Sequence, residues 1–196
     1  VQVITFTFTD HNQRNKWDVL RNKMLQNPNI KFAATSSSRP GNGFGKNLMR
    51  TEMEEGGFDE KGINMYGVDY DYFTTLNIGF VKGRNFSSKF PSDTVDAVIV
   101  NEAMVKRFNW SEPLGKRFQQ MGGPDTTTFF KVIGVVKDFH QQSLYNPIEP
   151  LAFFPTLNNS NALIKIDNDL ANGIDAVKKS WEEVFPNLPL EYTYLD

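Results

Sequence analysis

The segment "ALIKIDNDLANGIDAVKKSWEEVF", residues 162–185, joins a strand pattern to a helix pattern and decides the fold. Its first six residues, "ALIKID", form a short apolar run of the kind that builds a buried strand. The "NGIDAVKKSWEEVF" that follows predicts an amphipathic helix, because its large apolar residues recur at helical spacing. These residues are Ile174, Val177, Trp181 and Phe185. The "PNLP" after them ends the helix, and the alternation in "LEYTYL" (residues 190–195) predicts a second strand.

The beginning of the chain repeats this order of patterns. "VITFTFT" (Val3–Thr9) alternates threonine with apolar residues, as a strand with one buried face does. The polar "DHNQRN" predicts a turn, and "KWDVLRNKMLQ" predicts a helix that buries Trp17, Leu20 and Met24. "IKFAATSSS" then predicts a second strand.

Two strand–helix–strand units at opposite ends of the chain predict an α+β fold. We expect a split βαβ, ferredoxin-like (porter-type) subdomain made from residues 1–38 and 156–196, with both helices on one face of its sheet. Residues 39–155 are rich in strand and turn signals and predict an inserted mixed α+β lobe.

The inserted lobe is expected to contain a hairpin, two buried strands and a short helix. "NLMRTEME" and "INMYGVD" flank the glycine-containing "EGGFDEKG" and predict the hairpin. "DAVIVN" and "FKVIGVVKDF" are β-branched runs typical of buried strands. "NEAMVKRF" predicts a helix capped by Asn101, and Gly115 suits the positive φ of a tight turn.

Composition narrows the possible functions. The 196 residues carry a formal net charge of −2, so the charge balance gives no reason to expect a nucleic-acid partner. The absence of cysteine excludes thiol chemistry, and only two histidines disfavour a zinc site, so no metal or other cofactor is expected. No apolar run approaches the roughly 20 residues of a membrane-spanning helix.

A glycine-rich segment invites comparison with phosphate-binding loops. "PGNGFGK" (Pro40–Lys46) has three residues between Gly41 and Gly45, whereas a P-loop has four. Asn47 also stands where the P-loop hydroxyl would be, and no helix pattern follows. We interpret the segment as a loop.

The end of a predicted strand carries titratable residues. "VVKDFH" places Lys137, Asp138 and His140 where acid–base residues often occur. A hydrolase that uses Asp138 and His140 is therefore the catalytic hypothesis, although no nucleophile or oxyanion motif accompanies them. We interpret the segment as a polar strand exit.

For the acidic and aromatic residues near the hairpin, a structural role is the alternative to a role in binding. The acidic residues Glu52, Glu54, Glu55, Asp59 and Glu60 lack the ligand spacing of an EF-hand, so we predict a solvated hairpin tip. Tyr66, Tyr70, Tyr72 and Phe73 lack interleaved basic residues, which favours core packing or a protein contact over a nucleic-acid stack. Arg84 is predicted to fork onto a carboxylate and hold a turn.

Three segments in a fixed order carry a family resemblance. They are "YGVDYDYFTTLNIGFVKGRNFS", "DAVIVNEAMVKRFNWSEPLGKRF" and "FKVIGVVKDFHQQSLYNPIEPLAFF". This series resembles the MacB-like periplasmic core domain of ABC transporter permeases, within the superfamily that includes FtsX and the lipoprotein-release permeases. The landmark residues, for which the resemblance implies structural roles, are Asp69, Tyr72, Phe73, Gly83, Arg84, Asn101, Glu102, Gly115, Gly134, Asp138, Phe139 and Pro150.

The resemblance implies a periplasmic domain between the first two membrane helices of a bacterial inner-membrane permease. Both ends of the chain are then expected to continue into membrane helices. The implied partners are an ABC ATPase subunit or domain, which would hydrolyse ATP, a second permease copy and a periplasmic membrane-fusion adaptor. The implied function is mechanotransmission, in which ATP-driven motion is coupled to export of a peptide, antibiotic or lipoprotein, and no catalytic residue is implied.

A second hypothesis remains open beside the permease. The aromatic content and an expected cleft between the lobes are also compatible with a stand-alone periplasmic module that binds a small ligand or peptide.

Overall fold

Strands from the two ends of the chain are neighbours in one sheet. The structure is a computed structural model that describes residues 2–121, 128–140 and 147–195. Its strands are β1 (Gln2–Thr7), β2 (Ile30–Ser36), β3 (Gly45–Glu52), β4 (Phe58–Val68), β5 (Phe80–Gly83), β6 (Ala97–Asn101), β7 (Arg117–Gln120), β8 (Phe129–Val136), β9 (Leu151–Pro155), β10 (Asn161–Ile166) and β11 (Thr193–Leu195). Its helices are α1 (His11–Asn15), α2 (Trp17–Met24), α3 (Tyr72–Thr75), α4 (Asp93–Asp96), α5 (Glu102–Arg107) and α6 (Leu170–Val184). The mixed α+β class predicted from the sequence is confirmed.

The four strands from the chain ends lie in the order β11-β1-β10-β2. Neighbouring strands are antiparallel, with Ile4 opposite Ile164 and Ile164 opposite Ala33. Helices α2 and α6 share one apolar cluster with these strands, in which the ring of Trp181 contacts Phe6 edge-on at 5.4 Å. The apolar stripes predicted for both helices therefore face the same core.

Two predictions for the chain ends were wrong in detail. The "DHNQRN" segment is helix α1 and not a turn, because Asp10 accepts a hydrogen bond from the N–H of Gln13 and caps it. The last strand begins at Thr193 rather than residue 190. Trp181 donates its indole N–H to the carbonyl of Leu188 at 2.8 Å, which holds the preceding segment against α6.

The strands from the middle of the chain close into a ring. The pairings run β4-β3-β7-β8-β6-β9, and β9 pairs in parallel with β4 to complete the circuit. Closure removes free edges from these six strands, while β5 pairs with β8 outside the ring. The predicted hairpin is β3–β4, but its turn is short: Glu54 and Glu55 lie in the turn, whereas Glu52 lies in β3 and Asp59 and Glu60 lie in β4.

The end strands and the ring meet at one place. Ser36 opposite Val68 is the single residue pair that joins β2 to β4 in the described sheet. One apolar cluster also spans this boundary, since it contains Ala34 and Leu163 together with the ring residues Tyr66 and Phe153. Among the residues that the structure describes, no helix has both the length and the apolar character needed to cross a bilayer.

Candidate functional site

A buried carboxylate fastens β2 to the segment that follows β4. Thr35 donates its N–H and its hydroxyl to Oδ2 of Asp69, at 2.6 and 3.0 Å. The N–H of Asp69 returns a bond of 3.1 Å to the carbonyl of Thr35. Both residues are buried, so these hydrogen bonds are shielded from competing water. They link the end strands to the ring on one side of the Ser36–Val68 pair.

Further polar contacts surround this link. Ser37 donates its N–H to the carbonyl of Gly67 at 2.8 Å, and its hydroxyl accepts the N–H of Gly67 at 2.9 Å. A Cβ on Gly67 would lie 2.8 Å from Oγ1 of Thr156 and 3.1 Å from Cβ of Ser37, so a larger residue there would displace these side chains. Asn161 donates to the carbonyls of Ser36 and Ser37. Three chain segments therefore cross in one hydrogen-bonded junction.

The junction has an unusual electrostatic state. Burial raises the pKa of Asp69 to about 7, against the lowering effect of the hydrogen bonds from Thr35. The nearby negative charge of Asp71 adds to the increase. Asp71 itself pairs with Arg21 at 2.6 Å, which ties the junction to helix α2. Asp69 therefore changes its protonation state near neutral pH.

Aromatic rings fill the space beside the junction. Tyr72 and Phe73 are buried and meet edge-on at 5.5 Å between ring centres. Phe73 contacts Phe153 of β9 at 5.1 Å, and Phe139 stacks on the same ring at 6.0 Å. Tyr66 donates its hydroxyl to the carbonyl of Ser38. The aromatic run predicted to pack in the core does so, except that Tyr70 lies partly exposed at its edge.

Two glycines allow β5 to lie unusually close to β8, its antiparallel partner. Gly83 has φ +70, and a Cβ there would overlap the carbonyl oxygen of Ile133. A Cβ on Gly134 would overlap the carbonyl oxygen of Arg84 in the same way. This close pairing therefore requires glycine on both strands.

Arg84 holds the loop after β5. Its guanidinium makes two bonds to the carboxylate of Asp93, at 2.6 and 2.8 Å, and stacks on the ring of Phe90 at 4.1 Å. Burial pushes the pKa of Asp93 upward, but bonds from Arg84 and the N–H of Ser87 outweigh it and hold that pKa below its usual value. The forked contact expected of Arg84 is present, with a partner that the sequence did not single out.

The remaining landmarks surround the start of α5. Asn101 caps the helix by accepting the N–H of Met104, and the same oxygen accepts the N–H of Leu151. Its amide nitrogen donates to the carbonyl of Glu149, next to Pro150. Asn101 thus joins β6, α5 and the start of β9.

A reciprocal pair extends this arrangement. Asp138 accepts the N–H of Ala103, and Glu102 accepts the N–H of Asp138, at 2.9 and 3.0 Å. The N–H of Gly115 bonds the carbonyl of Val132 at 2.8 Å, with the positive φ expected for its turn. Each of these landmark residues binds backbone from another element.

Known proteins are similar to this chain in sequence and in fold. Residues 3–180 match the family of MacB-like periplasmic core domains. This chain belongs to that family. The extracellular domain of the noncanonic ABC-type transporter YknZ from Gram-positive bacteria has the same fold, with a TM-score of 0.62 at 16% identity and full coverage of both chains.

Two further relatives were found for this MacB-like domain. The periplasmic region of MacB from Actinobacillus actinomycetemcomitans aligns with a TM-score of 0.66 at 14% identity, over 100% of this chain and 88% of that one. The uncharacterized ABC transporter permease YvrN of Bacillus subtilis (strain 168) is 37% identical over 79 residues, which is 40% of this chain. The chain spans 18% of the length of that permease.

Within the described residues, the candidate catalytic and metal-binding side chains do not form a shared site. Asp138 is engaged with Ala103, and His140 is an exposed residue after β8. Glu52 accepts bonds from Arg117, and Asp59 pairs with Lys61. Within the described ranges, no group of three or more potential metal-binding side chains comes together. Residues 141–146 of the third landmark segment lie outside the described residues.

Sequence reasoning missed several residues of the junction. Thr35, Asn161 and Ser37 each act through a partner distant in the sequence, so no local spacing marks them. Asp93, which lies outside the junction, carried a weak signal, because it follows Arg84 by nine residues in a polar stretch; in the structure it begins α4.

Proposed function

We propose that this chain is the extracytoplasmic domain of a bacterial ABC transporter permease, on the periplasmic side of the inner membrane. The match of residues 3–180 to the MacB-like periplasmic core domain family carries this proposal. The relative YvrN, named as an ABC transporter permease, supports it. On this account the parent protein is embedded in the membrane and this chain is its part outside the bilayer.

On this proposal the chain consists of an end lobe (residues 1–38 and 156–196) and a middle lobe (39–155). The order β11-β1-β10-β2, with α2 and α6 on one apolar cluster, supports a split βαβ, ferredoxin-like end lobe. The ring of six strands supports the middle lobe as a second unit. The Thr35–Asp69 junction is then the fastening between them.

The placement of the first and last strands suits a domain carried by two membrane helices. Val3 of β1 lies opposite Leu195 of β11, and the side chain of Gln2 donates to the carbonyl of Leu195 at 3.0 Å. Segments that extended the chain in both directions would leave at one edge of the end lobe. Movement of two such segments would be transmitted to the sheet through the paired strands β1 and β11.

The proposed activity is mechanical coupling, with ATP hydrolysis in a separate ATPase subunit or domain. The landmark residues support it because they hold strands, loops and a helix to one another. A domain that transmits motion has to be rigid, and these contacts make it so. Phosphoryl transfer requires phosphate and Mg²⁺ ligands, which this account assigns to the ATPase. A second permease copy, a membrane-fusion adaptor and an exported peptide, antibiotic or lipoprotein complete the proposal.

Cysteine labelling in cells tests the location. The chain has no cysteine, so Val95→Cys, at a side chain 63% exposed, gives one reactive site within it. In the parent protein, a membrane-impermeant maleimide should label Val95→Cys once the outer membrane is permeabilised. The parent without the substitution reports background labelling, and Val98→Cys, fully buried, should react only after unfolding.

A companion measurement tests the coupling. Deleting this domain from the parent should abolish export while its ATPase still hydrolyses ATP. Labelling of Val95→Cys only after the inner membrane is ruptured, or undiminished export without the domain, would contradict the proposal.

A further inference from the structure

A cleft of about 480 Å³ opens between the end of β1 and the segment before β11. Its apolar wall includes Phe6, Trp181 and Leu188, and Thr5 and Thr7 of β1 line it as well. A space of this size holds a few amino-acid residues or a comparable small molecule.

One residue of β1 presents unpaired backbone to this cleft. Phe8 donates its N–H to the carbonyl of Ser160 on the β10 side, and alternate residues of a strand direct their backbone groups to opposite sides. Thr7 therefore directs its N–H and carbonyl to the β11 side. β11 pairs with β1 no further than Thr5 opposite Thr193. Within the described chain, no backbone hydrogen bond joins Thr7 to residues 188–192.

A buried hydroxyl in the same wall also lacks a partner. Thr5 lines the cleft and is 1% exposed, and its Oγ1 makes no hydrogen bond with any described residue. A buried polar atom without a partner is costly, so such atoms often mark a place where a ligand or water binds.

The cleft also contains a cation. Arg39 lines it, is half-buried, and forms no ion pair with a described residue. Glu191 lines the cleft as well, but its side chain is exposed to solvent. The half-buried guanidinium favours an anionic group on whatever enters.

We propose that this cleft binds a short, extended peptide that carries a carboxylate. The peptide backbone pairs with Thr7 and continues the sheet from the point where β11 stops. One apolar side chain enters beside Trp181 and Leu188, and the carboxylate pairs with Arg39. A backbone donor and acceptor at strand spacing select a polypeptide over other amphipathic anions. The site requires neither membrane helices nor ATP, so it stands independently of the permease proposal.

Titration of the isotope-labelled 196-residue chain with the C-terminally amidated peptide acetyl-Val-Thr-Leu-Thr-Asp-NH₂, whose one carboxylate is the Asp side chain, tests the site. Amide NMR should show saturable shifts at Thr7 and at residues 188–193, with a dissociation constant of roughly 10 µM to 1 mM, as expected for so small a contact. The same peptide with its leucine N-methylated cannot form the strand hydrogen bond and should bind at least about tenfold more weakly.

Two variants separate binding from folding. Arg39→Gln should weaken binding about tenfold and remove the preference for Asp over Asn at the end of the peptide. Thr5→Val keeps the shape of the side chain and removes the hydroxyl that has no partner. It should therefore leave thermal stability equal or higher while it lowers the affinity for the peptide. Absence of shifts at roughly 5 mM peptide, about five times the weakest dissociation constant expected, would overturn the proposal, as would equal binding of the N-methylated peptide.

Discussion

Gly83 and Gly134 are opposite each other in β5 and β8, and a Cβ on Gly83 would lie 2.9 Å from the Cα of Gly134. The two backbones approach more closely than any side chain permits. β5 joins the sheet through its antiparallel pairing with β8 and is followed by the loop that Arg84 holds. Even a small substitution at Gly83 or Gly134 should therefore have a large effect on stability.

Gly83→Ala should lower the free energy of unfolding by about 3 kcal/mol or more, because it adds backbone overlap to an unfavourable φ. Gly115→Ala is the matched control, since Gly115 has φ +86 and an open space around its Cβ position. Its loss should be about 1 kcal/mol. Urea denaturation followed by circular dichroism measures the stability of both variants. Equal losses of unfolding free energy would show that β5 and β8 leave room for a side chain at Gly83.

Arg84→Met should destabilise the fold by about 2–4 kcal/mol, because it leaves the buried carboxylate of Asp93 without its partner. The value is below that of a fully buried pair, since the Arg84 side chain is 40% exposed. Lys82→Met is the control: Lys82 and Glu112 form an exposed pair at 3.5 Å, worth less than about 0.5 kcal/mol. Chemical denaturation at pH 7 distinguishes them, and a loss from Arg84→Met as small as the control's would refute the assignment.

Asp69 should make stability depend on pH. Its pKa is raised to about 7 in the folded chain, so the folded state retains a proton that the unfolded chain loses near its ordinary value of 3.8. The stabilising contribution of the protonated form is complete below pH 3.8 and disappears as pH rises through 7. Relative to Asp69→Asn, the free energy of unfolding should fall by up to roughly 4 kcal/mol across this window.

Urea titrations at intervals from pH 4 to pH 8 measure this difference. Asp71→Asn is an informative comparison, because removing the charge that helps raise the pKa of Asp69 should narrow the window without abolishing the slope. A difference between the native chain and Asp69→Asn that stays constant with pH would exclude a shifted pKa.

Asp138→Ala should cost about 1 kcal/mol of stability, because the N–H of Ala103 at the start of α5 loses its acceptor. His140→Ala should change stability by less than about 0.5 kcal/mol, since the side chain is exposed. Export by the parent protein should survive both substitutions. Loss of activity in a folded His140→Ala variant would instead revive the hydrolase hypothesis.

Local signals in the sequence predicted most of the elements. The stripe that includes Trp181 and the cap at Asn101 depend on residues within one or two helical turns, and both are present. Helix α1 was missed even though Asp10 and Gln13 have the spacing of a capping box. The polar composition of that segment had favoured a turn, so the local signal was present and was outweighed.

The ring and the junction could not be predicted in this way. β9 closes the ring by pairing Tyr66 with Phe153, residues separated by most of the middle of the chain. Thr35 and Asp69 are likewise remote in sequence, and a threonine at the end of a strand carries no mark of its partner. The resemblance supplied Asp69 as a landmark, whereas the geometry supplied its burial and its contacts.

Distance measurements in the assembled transporter test mechanical coupling most directly. Spin labels on Val19→Cys in α2 and Val95→Cys in α4, at side chains 54% and 63% exposed, report on the end lobe and the middle lobe. In the full-length permease with its ATPase, addition of ATP should change the distance between Val95 labels on the two copies. The distance from Val19 to Val95 within one copy should stay constant, because the junction holds the lobes together. An inter-copy distance unaffected by ATP, or an intramolecular distance that changes with it, would contradict the account.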